Sequence, residues 1–331
     1  LPRLAAVACG AVRVPFSLKE KWSHDRKIRE HQLSAPPVFI IGHWRSGTTH
    51  LHNILSQDPQ FSTISFIQTS LPWDCLGKFK PARPLLRAVM PKTRGMDRVE
   101  VGVDTPQEEE MALGSMNDLG FYKSFYFPQK LMKHFRQSVL LEDITEVQRA
   151  RFEEVYEYLV RKMSYAQGGK GRILFKNPAS TARIPLLRKI FPDAKFVHIV
   201  RDPYAVYGSM EKLWTRMTDA FAWESTDGVD FEKATRAIYV ATNRRYLEDR
   251  SMLSGGDLCE VRYEELAKDP MRMVEGIYEK LGIENIARDQ FTAYLNRLGD
   301  YIPGRYDFEK GTREKIAKEW GFMFDAWGYE R

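Results

Sequence analysis

Cysteine is scarce in this chain, and N-glycosylation acceptors are missing altogether. The 331 residues include three cysteines, Cys9, Cys75 and Cys259, an odd number at unrelated spacings. Such a set supplies neither a disulfide framework nor a zinc pattern. No Asn-x-Ser/Thr acceptor occurs, so nothing marks a glycosylated lumenal protein. Internal repeats are absent, and no basic block is interleaved with aromatics, which removes nucleic acid as an expected partner. No His, Cys, Asp and Glu spacing suits a metal, so the chemistry is expected to be metal-independent. The apolar run Leu4 to Val12, between Arg3 and Arg13, falls well short of the roughly 20 residues that cross a bilayer. It reads as a helix packed on the body, or as the end of a signal or membrane-surface segment. The chain opens on Leu1 rather than Met, which suggests a trimmed leader.

What is present suits one large α/β domain. Hydrophobic residues make up 43% of the chain, enough for a sizeable core. The 50 basic residues against 44 acidic ones give a net charge of +6, which favours anionic ligands or membrane surfaces. Residues 1–35 form a lead-in, charged from Lys19 to Gln32 and closed by Pro36-Pro37.

The most informative stretch is Val38 to Leu55. Val38 to Ile41 is a short apolar run that reads as a buried strand, and Gly42 turns it. From Thr48 the apolar residues Leu51, Ile54 and Leu55 recur at helical spacing. A strand, a glycine-bounded loop and a helix N-terminus together aim backbone N–H groups and a positive dipole end at one point, which suits an anion. Gly42 to Thr49 fits the phosphate-loop template except that Thr48 occupies the lysine position. Without that lysine, which reaches the β- and γ-phosphates in triphosphatases and kinases, triphosphate cleavage is disfavoured. Arg45 inside the loop supplies a fixed cation for a second charged group.

Further on, Arg172 to Lys176 and Lys195 to Val200 read as strands on either side of a helix over Thr181 to Phe191. Such a unit implies parallel strands, whose carboxyl ends would carry Lys176 and Arg201 to the side of the phosphate loop. After Arg201, Asp202 caps and Pro203 opens a helix that places Ser209 about 10 Å along its axis. Arg201 and Ser209 could close on one phosphate. Between the loop and these strands, residues 61–135 lose the regular alternation and carry Phe66, Trp73, Phe79, Phe121, Tyr122, Phe125, Tyr126 and Phe127. They read equally as an acceptor pocket and as the packing of a small subdomain. Within this stretch Asp104 to Leu113 reads as a helix start with Thr105 or Asp104 as cap and carboxylates in the first turn.

Arg45-Ser46-Gly47-Thr48-Thr49 resembles the 5′-phosphosulfate loop of sulfotransferases, and Arg201 with Ser209 resembles their 3′-phosphate motif. Thr105-Pro106-Gln107-Glu108 is similar to a segment of a bacterial and lower-eukaryotic branch of that family, and Tyr263-Glu264-Glu265-Leu266 with Asp269-Pro270 matches a further recurrent pattern. The resemblance implies a P-loop-like three-layer α/β fold with a central parallel sheet and a mostly helical insertion at about 61–135, in a domain spanning 36–331. It implies transfer of a sulfuryl group from 3′-phosphoadenosine 5′-phosphosulfate (PAPS) to an acceptor hydroxyl, leaving adenosine 3′,5′-bisphosphate. Arg45, Ser46, Gly47, Thr48, Thr49, Arg201, Ser209 and Tyr263 would hold the donor, with Tyr263 against the adenine. Arg45 and Lys176 would neutralise the sulfuryl and leaving oxygens. The histidine that many cytosolic members carry shortly after that lysine is missing, since Asn177-Pro178 follows Lys176. The base would then be Glu108, then Glu110, with His43 and His50 behind them. Arg305-Tyr306 and Lys310 to Arg313 match a 3′-phosphate loop only loosely. The aromatic surroundings favour a hydrophobic or lipid-like alcohol as acceptor. A cytoplasmic protein is expected, with the N-terminus as a membrane contact. A nucleotide kinase and a non-catalytic binder of a bisphosphorylated nucleotide are the rival readings.

Overall fold

In the computed structural model the described residues are 2–76, 102–298, 306 and 308–331, with side chains described from residue 13 onward. Phe79 and Arg305 therefore lie outside the described residues. Five parallel strands form the sheet: β1 (Val38–Ile41), β2 (Phe61–Ser62), β3 (Arg172–Lys176), β4 (Lys195–Val200) and β5 (Leu258–Arg262), in the order β2-β3-β1-β4-β5. Strand β1 is buried at every position, as a central parallel strand covered on both faces must be. Its alternation divides the core. Val38 and Ile40 join Leu51, Ile54 and Val274 on one side of the sheet, while Phe39 and Ile41 join Val155, Tyr156 and Leu159 on the other. Helices on both faces of one parallel sheet give the expected three layers.

Helix α1 (Pro2–Glu30) is one continuous element where the sequence suggested two segments. It is held by Lys162 Nζ donating to Glu20 Oε1 at 2.5 Å, by the Arg13–Asp74 ion pair, and by a 2.9 Å contact from His31 Nε2, just past its end, to Ser164 Oγ. Helix α2 (Thr48–Leu55) follows β1 as its periodicity predicts. Next come α3 (Phe66–Ser70), α4 (Glu109–Met116), α5 (Lys123–Tyr126) and α6 (Glu146–Ala166), the last opened by a Thr145/Gln148 capping box. Strand β2 opens the stretch expected to lose the regular alternation and was not foreseen, because two residues are too few to show a period.

The helix expected over Thr181 to Phe191 is broken. A 3₁₀ turn (Pro178–Ala182) precedes α7 (Ile184–Ile190), whose start is fixed by Pro185, a residue without an N–H. At the break, Arg183 turns into the core. Helices α8 (Pro203–Phe221), α9 (Phe231–Asp249) and α10 (Pro270–Leu281) complete the layers, with Asp202, Asp230 and Asp269 accepting cap bonds from the first turns. A third apolar cluster, with Trp44, Phe121, Phe125, Val206, Tyr239 and Trp320, lies beyond the strand ends and ties the insertion to α8 and α9.

Candidate active site

Because β1 lies between β3 and β4, the carboxyl ends of the three strands open on one crevice. The chain leaves β1 at Gly42 (φ 143°), where an added Cβ would stand 2.3 Å from the Ile199 carbonyl oxygen. Only glycine lets the loop cross β4 so closely. Gly42 N–H donates to Thr181 Oγ1 at 2.7 Å, and Ser46 N–H closes the turn on the His43 carbonyl at 3.1 Å. Gly47 (φ 96°) stands at the N-cap of α2, and no side chain caps that helix. The first intrahelical bond runs from Leu51 N–H to Gly47 O, so the amides of Thr48, Thr49 and His50 precede the hydrogen-bond ladder and suit an anion. Ser46 and Thr48 are buried and Thr49 half-buried in this turn.

Arg45 occupies the left-handed region (φ 70°), a costly conformation for a residue with a Cβ and one that active-site loops often hold. Its Nε donates to Ser209 Oγ at 2.7 Å, and Arg201 Nη1 donates to the Arg45 carbonyl at 3.2 Å. The two basic motifs, distant in sequence, thus share hydrogen bonds. Tyr263 stands against both motifs. The ring is only 4% exposed, with the Arg201 guanidinium 4.4 Å from its centroid and Gly47 packed so tightly that a Cβ there would lie 2.3 Å from Cδ2. It supports Arg201 and the loop through a cation–π contact.

On the other side of the loop, Lys176 at the end of β3 donates to Thr49 Oγ1 at 3.2 Å and to Glu108 Oε1 at 2.5 Å. Tyr122 donates its hydroxyl to Glu108 Oε2 at 3.1 Å. Glu108 gets there through its backbone. Phe66 N–H donates to Thr105 O, Gln107 N–H donates to Ile64 O, and Pro106 bridges Ser65, so the segment is pinned along the entrance to α3. The expected cap by Thr105 or Asp104 is not formed. Thr105 Oγ1 instead donates to Gly102 O, and Glu108 itself holds the N-cap position of α4 without a side-chain cap bond.

The neighbouring carboxylates part company with Glu108. Glu110 is 1% exposed and accepts from Arg183 Nη1 (2.7 Å) and Nη2 (3.1 Å), Asn177 Nδ2 (2.9 Å) and Phe121 N–H (2.8 Å). Burial opposes its ionisation, but the Arg183 charge and these bonds outweigh it, holding the carboxyl below its usual range. With its lone pairs occupied, it is a structural latch and a poor base. Glu109, not singled out in the sequence, is fully buried and accepts from Tyr156 OH at 2.6 Å. Burial pushes its carboxyl up to about 7. Arg183 was likewise missed, and Asn177 was noted only as departing from the family pattern; a residue whose role is to satisfy a buried charge has no periodicity of its own.

His43 also falls away as a base. It is buried, its Nδ1 lies 2.9 Å from the Trp44 carbonyl, and burial lowers it to about 4. His50, half-buried and edge-on to Tyr263, is lowered by burial too. His198 is a core histidine stacked on Tyr246 at 3.7 Å. The insertion aromatics divide: Phe121 and Phe125 are core, Tyr122 reaches Glu108, and Phe127 is exposed. Among the C-terminal residues of the loose match, Tyr306 packs on Gly208, Lys310 opens an exposed helix, and Arg313 lies 4.0 Å over Tyr204. Among the described residues no cluster of His, Cys, Asp and Glu could hold a metal ion.

Comparison with known proteins gives the family. The omega-hydroxy-beta-dihydromenaquinone-9 sulfotransferases Stf3 of Mycobacterium bovis and Mycobacterium tuberculosis are each 28% identical over 325 residues, covering 96% of this chain and 81% of theirs. The crystal structure of sulfotransferase STF9 from Mycobacterium avium matches with a TM-score of 0.75 at 20% identity, covering 95% of this chain and 82% of that one. STF1 from Mycobacterium tuberculosis matches with a TM-score of 0.61 at 16% identity, covering 93% and 81%. The description "Sulfotransferase family" matches residues 36–287, a span that holds the loop, the Glu108–Lys176 pair and the Arg201 helix, and the chain therefore belongs to the sulfotransferase family.

Proposed function

We propose that the protein uses PAPS as donor and transfers the sulfuryl group to the hydroxyl of a hydrophobic, lipid-like alcohol. The observation that carries this reading is the meeting of three groups around one uncapped helix N-terminus: Arg45 with Ser209, Arg201, and the Lys176–Glu108 pair. The residues suit the donor. The open amides of α2 with Thr48 and Thr49 fit a 5′-phosphate, and Arg201 with Ser209 fits a 3′-phosphate. Lys176, within reach of Thr49, is placed to neutralise charge on the leaving oxygen as the bond from sulfur to the 5′-phosphate breaks. Glu108 accepts the proton of the acceptor hydroxyl as its oxygen bonds to sulfur. Tyr122 and Lys176 fix both carboxylate oxygens for that task. Catalysis of this kind consists mainly of alignment and charge stabilisation, as in phosphoryl transfer.

The relatives named for a menaquinone-derived acceptor support a lipid-like alcohol, as do the rings about the Glu108 side of the crevice. We place the protein at the cytoplasmic side, with the lead-in as a membrane contact. Helix α1 exposes Val14, Leu18 and Trp22 at four-residue steps, Trp22 at 89%, with Lys19 and Arg26 alongside. No helix among the described residues is long and apolar enough to cross a membrane. Calorimetry with adenosine 3′,5′-bisphosphate, followed by transfer of labelled sulfate from PAPS to a panel of long-chain alcohols and lipid extracts, tests the reading. Donor binding without any labelled product would leave a non-catalytic nucleotide binder instead.

A further inference from the structure

Past the crevice, the rings continue to the surface. Tyr122, which bonds Glu108, packs edge-on against Phe125 at 5.6 Å, and the next two residues turn outward as the rim of an aromatic patch. Tyr126 meets Phe221 at 5.9 Å and Trp223 at 5.5 Å, and Phe127 meets Trp223 at 5.9 Å. Phe127, Phe221 and Trp223 are 36%, 42% and 41% exposed. Large rings left together in water mark a contact surface. This patch is built rather than frayed. Trp223 N–H donates to Tyr126 O at 2.9 Å, Gln129 N–H donates to Glu224 Oε1 at 2.8 Å, and Gln129 Nε2 donates to the Ser225 and Asp227 carbonyls, each at 2.9 Å. The two acids of the turn after Trp223 are thus engaged, Glu224 by that amide and Asp227 by the Ser225 hydroxyl at 2.6 Å, while Asp219 on the helix before Phe221 is exposed. The cations remain outward. Lys130 and Lys133 are exposed, and with Lys123 they lie near enough to His134, itself packed on Phe127, to disfavour its protonation after burial has done so first.

We infer that Tyr126, Phe127, Phe221 and Trp223 form a lip that seats in an anionic phospholipid surface and passes a lipid-borne hydroxyl along Tyr122 to Glu108. Aromatic rings with lysines beside them are the side chains that settle at a headgroup boundary, the rings in the acyl margin and the cations on anionic lipid. The chain adjacency of this lip to Tyr122 and Phe125, whose rings meet at 5.6 Å, distinguishes it from the α1 stripe, which only anchors. The inference rests on the proposed lipid-like acceptor, but its test does not use turnover.

The full chain is floated with vesicles of phosphatidylcholine, with and without phosphatidylglycerol, and hydrogen exchange is followed with vesicles present. Binding should strengthen with phosphatidylglycerol and should protect amides at 126–130 and 221–225. A Phe127→Ser/Trp223→Ser variant should partition about tenfold less or weaker, a loss of the size expected for withdrawing two rings from a lipid margin. A Leu18→Ser/Trp22→Ser variant measures the share due to α1 and should leave protection of the lip in place. Equal partitioning of the lip variant, or no protection at 126–130 and 221–225, overturns the inference. So does light scattering that shows the variant losing a dimer, which would make the patch a contact between copies. Failure of the wild type to bind adenosine 3′,5′-bisphosphate by calorimetry counts instead against the donor site.

Discussion

The same exchange, Glu to Gln, at positions 108 and 110 should separate chemistry from architecture. At Glu110 both partners of the ion pair are buried, with side chains 0% (Arg183) and 1% (Glu110) exposed. Neutralising one member leaves the Arg183 charge in the core, and breaking a buried pair in this way costs about 3–5 kcal/mol. An amide also points N–H groups at a partner that only donates. With an unfolding entropy of about 2.1 cal/mol/K per residue over 331 residues, each kcal/mol moves Tm by about 1.4 °C, so Glu110→Gln should lower Tm by about 4–7 °C. Glu108→Gln should move Tm less, because its side chain is 16% exposed and Lys176 keeps Thr49. Its transfer rate should instead fall by about 10²–10⁴, the usual worth of a general base, with affinity for adenosine 3′,5′-bisphosphate unchanged. The assays are thermal unfolding, calorimetry with the bisphosphate, and transfer from labelled PAPS. Full turnover in Glu108→Gln with donor binding intact would refute the base assignment. An unshifted Tm in Glu110→Gln would refute the latch.

Other perturbations follow from the same contacts. Arg201→Ala should weaken adenosine 3′,5′-bisphosphate about 10–100-fold, the worth of charge-assisted bonds, while Tyr263→Ala should weaken it less, by freeing the guanidinium it supports; calorimetry ranks the two. Gly47→Ala places a methyl 2.3 Å from Tyr263 Cδ2 at φ 96°, so the loop must shift and both Tm and donor affinity should fall, the strain alone costing about 1–3 kcal/mol. Glu109 gives a pH signature. Its folded value of about 7 lies above the usual 4.5, so the native state holds the proton more tightly than the unfolded chain. The stabilisation it lends is full below about 4.5 and is lost as pH rises through about 7. Urea titrations across that window should show Glu109→Gln gaining stability relative to wild type as pH rises, and a constant difference would contradict a buried protonated carboxyl.

Much of this site could be read without coordinates, but unevenly. The apolar run at Val38, the glycines at 42 and 47 and the helical spacing after Thr48 are local signals, and the turn they predict is the turn that forms. Lys176 and Arg201 were placed beside it by a topological rule about parallel strands, and the sheet order agrees. The acidic run from Glu108 to Glu110 was different. Three identical side chains in a row carry no periodic information, and they part only in space, Glu108 to the crevice, Glu109 to Tyr156, Glu110 to Arg183.

The sequence by itself determined the strands beside the loop, their parallel sense and the anion-binding turn, because each depends on near-neighbour sterics and on which positions must leave water. Only the tertiary structure decided which charges are free to work. Ionisation and proton affinity depend on what stands within a few ångströms, and at Glu110 and His43 that is set by a distant segment and by burial itself.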